Sequence, residues 1–182
     1  WPHWQARRAM EAIVRVASEA DAAGIAALVN RAYRPAPAQG GWTHESGLVS
    51  GARTSEAMVR SFFGPDSDVL VLCRGAEIVA CVHVQGGESA ACIGMLATEP
   101  AAQATGLGKR MLACAEQHAV AHRGATAFRM SVLSARTELL AFYERRGYAR
   151  TGVREAFPLA AGAGQPCVAG LELDILVKMP GV

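Results

Sequence analysis

Apolar positions recur along this chain with two periods, and the way those periods alternate predicts most of its architecture. Residues 13–17 read as a short strand. Beyond Ser18, Ile25, Leu28, Val29 and Ala32 fall at i, i+3, i+4 and i+7, the stripe of a helix with one buried face. Ser18, Glu19 and Asp21 suit its first turn, where free N–H groups donate to capping oxygens, and Pro35 and Pro37 end it. A second helix is predicted over residues 54–63, with Met58/Phe62 and Val59/Phe63 paired at i,i+4 and Gly64-Pro65 as its stop. Three apolar runs follow, residues 69–73, 77–84 and 89–97, joined by short turns at Arg74-Gly75 and Gly86-Gly87. Such spacing predicts an antiparallel meander. A helix over 106–123 would bury Leu107, Met111, Leu112, Ala115 and Ala119, with Gly124 as its C-terminal cap. Then come a strand (127–133), a helix (136–146) ending before Gly147, and two strands (148–154 and 171–179). In the last strand Leu171, Leu173, Ile175 and Val177 alternate with Glu172, Asp174, Leu176 and Lys178.

The resulting order, β-α-α-β-β-β-α-β-α-β-β, is that of an α/β chain built on one mixed sheet. No repeat or linker interrupts it, so residues 13–182 read as a single domain behind an N-terminal extension, residues 1–12. Met10 is a candidate start, with residues 1–9 upstream of it. A chain of 182 residues that is 51% hydrophobic can bury a sizeable core and is not disordered. A net charge of +2 without a basic stripe argues against a nucleic-acid or membrane-surface partner. No apolar run approaches the roughly 20 residues of a membrane span, and the N-terminus has no signal-peptide core. Lys109 and Lys178 are the only lysines, a skew read as coding bias.

Cysteine usage changes the picture little. Cys73, Cys81, Cys92, Cys114 and Cys167 are odd in number and lack metal-ligand spacing. Most sit in apolar runs, as reduced thiols of a cytoplasmic protein would, and no thiolate-stabilising cluster surrounds any of them. His118 and His122 are spaced i,i+4 but lack the Glu of a His-Glu-x-x-His site. They are read as a solvated helix edge, and no metal is expected.

The chemistry concentrates in the turn between the strand over 89–97 and the helix over 106–123: Thr98-Glu99-Pro100-Ala101-Ala102-Gln103-Ala104-Thr105-Gly106-Leu107-Gly108-Lys109. A strand, a Gly-bearing turn and a helix N-terminus together attract phosphate, because the first helical N–H groups lack internal partners and the dipole is positive there. Two familiar phosphate loops fail here. A Walker-type loop needs Gly at position 103 and Ser or Thr after Lys109; the chain has Gln103 and Arg110. A dinucleotide fingerprint needs Gly at position 111, which is Met111. Gln-x-x-Gly-x-Gly remains.

That motif, followed by Phe142-Tyr143-Glu144-Arg145-Arg146-Gly147-Tyr148, resembles the GCN5-related N-acetyltransferase (GNAT) superfamily over residues 13–179. The resemblance implies a GNAT-like acyl-CoA N-acyltransferase fold whose fourth and fifth predicted strands, 91–97 and 127–133, splay apart. It implies acetyl-CoA as co-substrate, an amine acceptor, and, as is common in the family, a homodimer. The coenzyme's thioester arm would pair with backbone at Leu96, Ala97 and Thr98. Its diphosphate would sit on the turn from Gln103, Ala104 and Thr105 through Gly106, Leu107, Gly108 and Lys109. Thr98 stands where the family has Val or Ile.

Tyr143 matches the family's Tyr and would act as general acid toward the coenzyme thiolate, since a phenol with pKa near 10 can protonate a thiolate of pKa near 8.5 or above. Some members carry a Glu six residues before the position of Thr98; here it is Cys92, so no base carries over. Glu88, His83, Glu45 or a water chain remain for that role. Arg136, where the family often has Asn, is expected at the pantetheine arm or a phosphate, or else on the surface. Trp42, His44 and Glu45, with Phe157-Pro158 and the Gly-rich residues 160–170, would border the acceptor. The expected activity is N-acetylation of a small amine or a peptide N-terminus; the alternative is an acyl-CoA-binding module without turnover.

Overall fold

The computed structural model describes residues 12–34, 49–87, 89–102, 106–158, 164–166 and 170–181. The chain opens with β1 (Ala12–Val16). A single 3-10 turn (Glu19–Asp21) leads into α1 (Ala22–Tyr33). A two-residue strand β2 (Val49–Ser50) and helix α2 (Glu56–Ser61) precede the meander β3 (Ser67–Arg74), β4 (Glu77–Gly86) and β5 (Ala91–Thr98). Then come α3 (Leu107–Arg123), β6 (Phe128–Leu133), α4 (Thr137–Glu144), β7 (Ala149–Ala156), the two-residue strand β8 (Gln165–Pro166) and β9 (Glu172–Lys178).

Seven strands form one mixed sheet in the order β1-β3-β4-β5-β6-β9-β7, and β2 pairs with β8 apart from it. The meander is antiparallel as expected, β5 and β6 are parallel, and β9 lies between β6 and β7. The β2–β8 pair was not anticipated; two residues carry no readable period.

The sheet buries both faces. On one, Ile25, Leu28 and Val29 of α1 are fully buried against Val69, Val71, Cys81 and Ala97. On the other, Met111, Leu112 and Ala115 of α3 and Leu140 of α4 pack on Leu72, Val82, Phe128 and Leu176. The helical stripes read from the sequence are the stripes buried. Gly124, at φ 63°, closes α3 by donating to the carbonyls of Ala119 and Val120.

Two polar clamps fix α3. Tyr148 Oη and Lys178 Nζ each donate to Glu116, at 2.8 Å. At the C-terminal end, Asp68 of β3 accepts from Arg123 at 2.6 Å and bonds His118 Nε2 at 2.8 Å. His118 is therefore a half-buried anchor and not part of a solvated edge; of the two, His122 alone is exposed, its ring against His118. Burial works against the Asp68 charge, but His118 and Arg123 together hold its carboxyl below the usual carboxylate range.

The last strand also departs from its pattern. Asp174, Ile175 and Leu176 are all buried, because β9 lies inside the sheet with both faces covered. Asp174 accepts from Arg154 Nε at 3.1 Å. Edge strand β7 takes the exposed role instead, all eight of its residues lying open.

Phe128 opens β6 opposite Ala91 and is 2% exposed. Phe128→Ala should cost about 3–5 kcal/mol of stability through lost burial and the cavity left behind, measurable by urea denaturation.

Candidate active site

Strands β5 and β6 begin as a parallel pair and then part. Ala91 pairs with Phe128 and Cys92 with Arg129, and the ladder stops there. The cause is visible in β5. Its register with β4 shifts between Cys81 and His83, so that Met95 and Leu96 both fall opposite Val82. Met95 adopts φ 51°, the one positive φ at a non-glycine among the described residues. Two groups fasten the bulge: Tyr33 Oη donates to the Leu96 carbonyl at 2.7 Å, and Cys81 Sγ lies 3.7 Å from the Met95 carbonyl. The bulge turns β5 out of line with β6, and a cavity of about 550 Å³ occupies the gap.

At the far end of β5 lies the glycine-bearing turn. Gly106, at φ 84°, is the N-cap of α3, a conformation that strains any other residue. The first N–H to close a helical bond here is that of Arg110, to the Gly106 carbonyl at 3.0 Å. The N–H groups of Leu107, Gly108 and Lys109 are thus the open donors of the helix. Gly108 is informative for another reason. A Cβ there would meet Phe142 Cζ at 3.7 Å and Thr98 Cγ2 at 3.9 Å, ordinary contacts. The chain's own packing does not require glycine at 108, so its bareness leaves the helix end open to a ligand.

Tyr143, in α4, lines the cavity and is 6% exposed, with its ring edge-on to Phe142 and Tyr148. Among the described residues no partner bonds its hydroxyl. Burial raises its pKa well above the usual phenol value; Tyr33 adds to the rise and the Arg136 cation opposes it. Arg136 is the N-cap of α4, 9% exposed and part of the cavity wall, so of the alternatives left open for it a surface position is excluded. Leu96, Ala97 and Thr98 are buried in β5, and Lys109 is exposed beside the turn.

On the α1/α2 side of the gap, His83 lines the same cavity. Its Nε2 lies 2.6 Å from Ser67 Oγ, and its ring stacks on Phe62 at 4.1 Å. Burial pushes its pKa down to about 4, helped by the Arg123 and Arg53 cations and opposed by Asp68. Cys92 opens into the cavity, while Cys81 is wholly buried and its thiol is pushed up to about 12 by that burial, which removes it as a nucleophile at neutral pH.

Phe157 and Pro158 line the cavity. Trp42, His44, Glu45, Glu88, Gln103, Ala104 and Thr105 lie outside the described residues. Reading the sequence missed Tyr33, Arg53 and Arg129 as cavity residues; none belongs to a motif, and only the fold brings them to the gap. Among the described residues no three His, Cys, Asp or Glu side chains gather as a metal site, and no helix is long and apolar enough to cross a membrane.

The seven-stranded mixed sheet with its parted β5–β6 pair is the fold of solved acetyltransferases. Residues 65–150 match the family model described as an acetyltransferase (GNAT) domain. Over those residues the chain is similar to a GNAT acetyltransferase domain, the domain of an acyltransferase enzyme. The ribosomal-protein-S18-alanine N-acetyltransferase of Escherichia coli superposes with a TM-score of 0.70 at 16% identity, covering 93% of this chain and 94% of that one. An acetyltransferase of Salmonella typhimurium, solved with its cofactor acetyl-CoA, gives 0.66 at 15% identity over 92% and 93% of the two chains. An IAA acetyltransferase from Bacillus cereus gives 0.65 at 14% identity over 93% and 99%. No curated protein sequence matches the chain.

The depressed His83 pKa has a consequence for stability. The folded state favours neutral imidazole, so this contribution is complete above the ordinary value of 6.5 and is lost as pH falls toward about 4. The His83 ring proton should titrate by NMR with a midpoint near 4. A His83→Gln variant should lose less stability than the parent between pH 6.5 and 4 in urea melts.

Proposed function

We propose that this protein is an N-acetyltransferase that moves the acetyl group of acetyl-CoA to a primary amine, with residues 13–182 working as one domain. The observation that carries this reading is the pairing of the gap between β5 and β6 with a helix end kept bare by Gly108. Acetyl-CoA, when bound, supplies the thioester that the amine attacks. The open N–H groups of Leu107, Gly108 and Lys109 then hold its diphosphate, with Gln103, Ala104 and Thr105 completing the turn. Backbone groups of β5 around Leu96 to Thr98 orient the arm and furnish hydrogen bonds to the developing oxyanion. Arg136 serves the arm and lends positive potential beside Tyr143.

Tyr143 faces the departing sulfur as general acid. Its raised pKa refines that role. The hydroxyl is fully protonated at every working pH, and it gives its proton up less readily than an ordinary phenol. Its main contribution is a strong hydrogen bond to developing negative charge, with the Arg136 cation offsetting part of the cost of going further. On the other side of the thioester the amine must be neutral. An alkylamine with pKa near 10.4 is mostly charged at neutral pH, so its proton must leave first. His83, in the cavity wall and neutral above about pH 4, is too weak a base to keep that proton and would at most relay it through water to solvent; Glu88 and Glu45 are the other candidates. Trp42, His44 and Glu45 border the acceptor in this reading. The free thiols Cys73, Cys81, Cys92 and Cys114 suit a reducing compartment such as the cytoplasm.

Thiol release from acetyl-CoA across an amine panel tests the proposal; acetyl-CoA binding without release on any amine would favour the acyl-CoA-binding alternative. A hydrogen bond to charge is worth about 1.5–3 kcal/mol, so Tyr143→Phe should lower kcat by roughly 10- to 100-fold while acetyl-CoA affinity, read by calorimetry, changes little. An unchanged kcat would remove Tyr143 from the chemistry.

A further inference from the structure

The cavity is unevenly charged. Four arginines line it, Arg34, Arg53, Arg129 and Arg136, against one carboxylate among the described lining residues, Glu155. Arg129 is committed to Glu155 at 3.1 Å, Arg34 donates to the Gly51 carbonyl at 2.6 Å, and Arg136 sits beside Tyr143. Arg53 differs. Its guanidinium lies over the Tyr33 ring at 5.3 Å, and among the described residues it has neither a carboxylate partner nor a side-chain hydrogen bond.

The chain presents this arginine on an anchored segment. The N–H groups of Arg53 and Thr54 donate to Asn30 Oδ1 at 2.8 and 3.1 Å, and Asn30 Nδ2 donates to the Thr54 carbonyl at 3.0 Å. One amide side chain of α1 thus latches the segment with three bonds, and the Arg34 bond to Gly51 adds a fourth. A guanidinium pointing at bulk water needs no such support. A half-buried one in a cavity wall loses hydration and gains most from an arriving anion.

The side of the sheet on which it lies identifies that anion. The Gly106–Lys109 turn belongs to the α3 face, where Gly108 adjoins Phe142. Arg53 is latched to Asn30 of α1 and stands over the ring of Tyr33, which packs on the α1/α2 face. The donor's diphosphate and Arg53 are therefore on opposite faces of the sheet.

We propose that the acceptor is a small amine that also carries a carboxylate, as an amino acid does, and that Arg53 binds that carboxylate as the specificity-determining residue. This rests on the acetyltransferase reading above. Asn30 is a positioning residue, acting through the segment it latches.

The test uses amines matched in side chain with and without the carboxylate: phenylalanine against phenethylamine, tyrosine against tyramine, histidine against histamine. The parent enzyme should favour the carboxylate member in kcat/KM by roughly tenfold or more. Arg53→Gln should lose most of that preference through acceptor KM, with acetyl-CoA KM and thermal midpoint unchanged, and Arg53→Lys should keep part of it. Preference for the decarboxylated amines would overturn the inference. So would an Arg53→Gln defect in acetyl-CoA KM shared equally by both acceptors, which would assign the guanidinium to the donor. Calorimetric titration of N-acetylphenylalanine and N-acetylphenethylamine into the protein with coenzyme A reads the same discrimination without turnover. Equal or undetectable binding of the two overturns the inference, whereas selective binding of N-acetylphenylalanine with no turnover on any amine counts against the acetyltransferase reading alone.

Discussion

The gap in this sheet depends on one local distortion, the bulge that sets Met95 and Leu96 together against Val82. Parallel neighbours such as β5 and β6 would ordinarily pair along their length, satisfying their backbone groups and closing the sheet. Here they pair at two positions and separate. That separation has two costs, a left-handed backbone at a residue with a long side chain and a row of strand groups without a strand partner. The Tyr33 hydroxyl on the Leu96 carbonyl and the Cys81 thiol near the Met95 carbonyl offset part of the first. The second persists as unspent hydrogen-bonding capacity, which suits a slot for an extended ligand arm.

A gap in the middle of a sheet is tolerable only if both halves are held from outside. The long helix α3 bridges them. It packs on β3, β4 and β5, while Glu116 joins it to Lys178 and Tyr148 on the β9 side. Asp68 fixes its other end through His118 and Arg123. The helix is consequently anchored at its C-terminus and along its flank, while its N-terminus is left bare at the mouth of the gap. Rigidity and ligand access are thereby assigned to opposite ends of one element.

The sequence discloses these features unequally, for physical reasons. Helix stripes such as Ile25, Leu28 and Val29, and the meander with its Gly-bearing turns, are legible because periodicity follows from which face is buried. The phosphate-type turn is legible because Gly106 and Gly108 are needed for backbone shape and for bareness, and no other residue supplies either. The bulge is not legible, since nothing about Met95 announces a positive φ; tertiary bonds from Tyr33 and Cys81 hold it there. The alternation read in β9 fails at Asp174 and Leu176 because a strand between two others, covered above and below, has no solvent face. His118 misleads in the same way: its partner Asp68 lies 50 residues away in sequence, beyond any local pattern.

In the proposed reading the two halves of the cavity also differ in what kind of group builds them. The donor half is built from backbone: helix N–H groups, a strand edge, and glycines that keep both bare. Such a site depends little on side-chain identity. The acceptor half is built from side chains, His83, Arg53, Arg129 and Glu155, set on separate strands and on the segment latched by Asn30. In that reading the chemistry of transfer falls to backbone groups and the choice of amine to side chains. A specificity determinant in this chain has to be sought, as Arg53 was, from charge left uncompensated in the cavity wall and not from a motif.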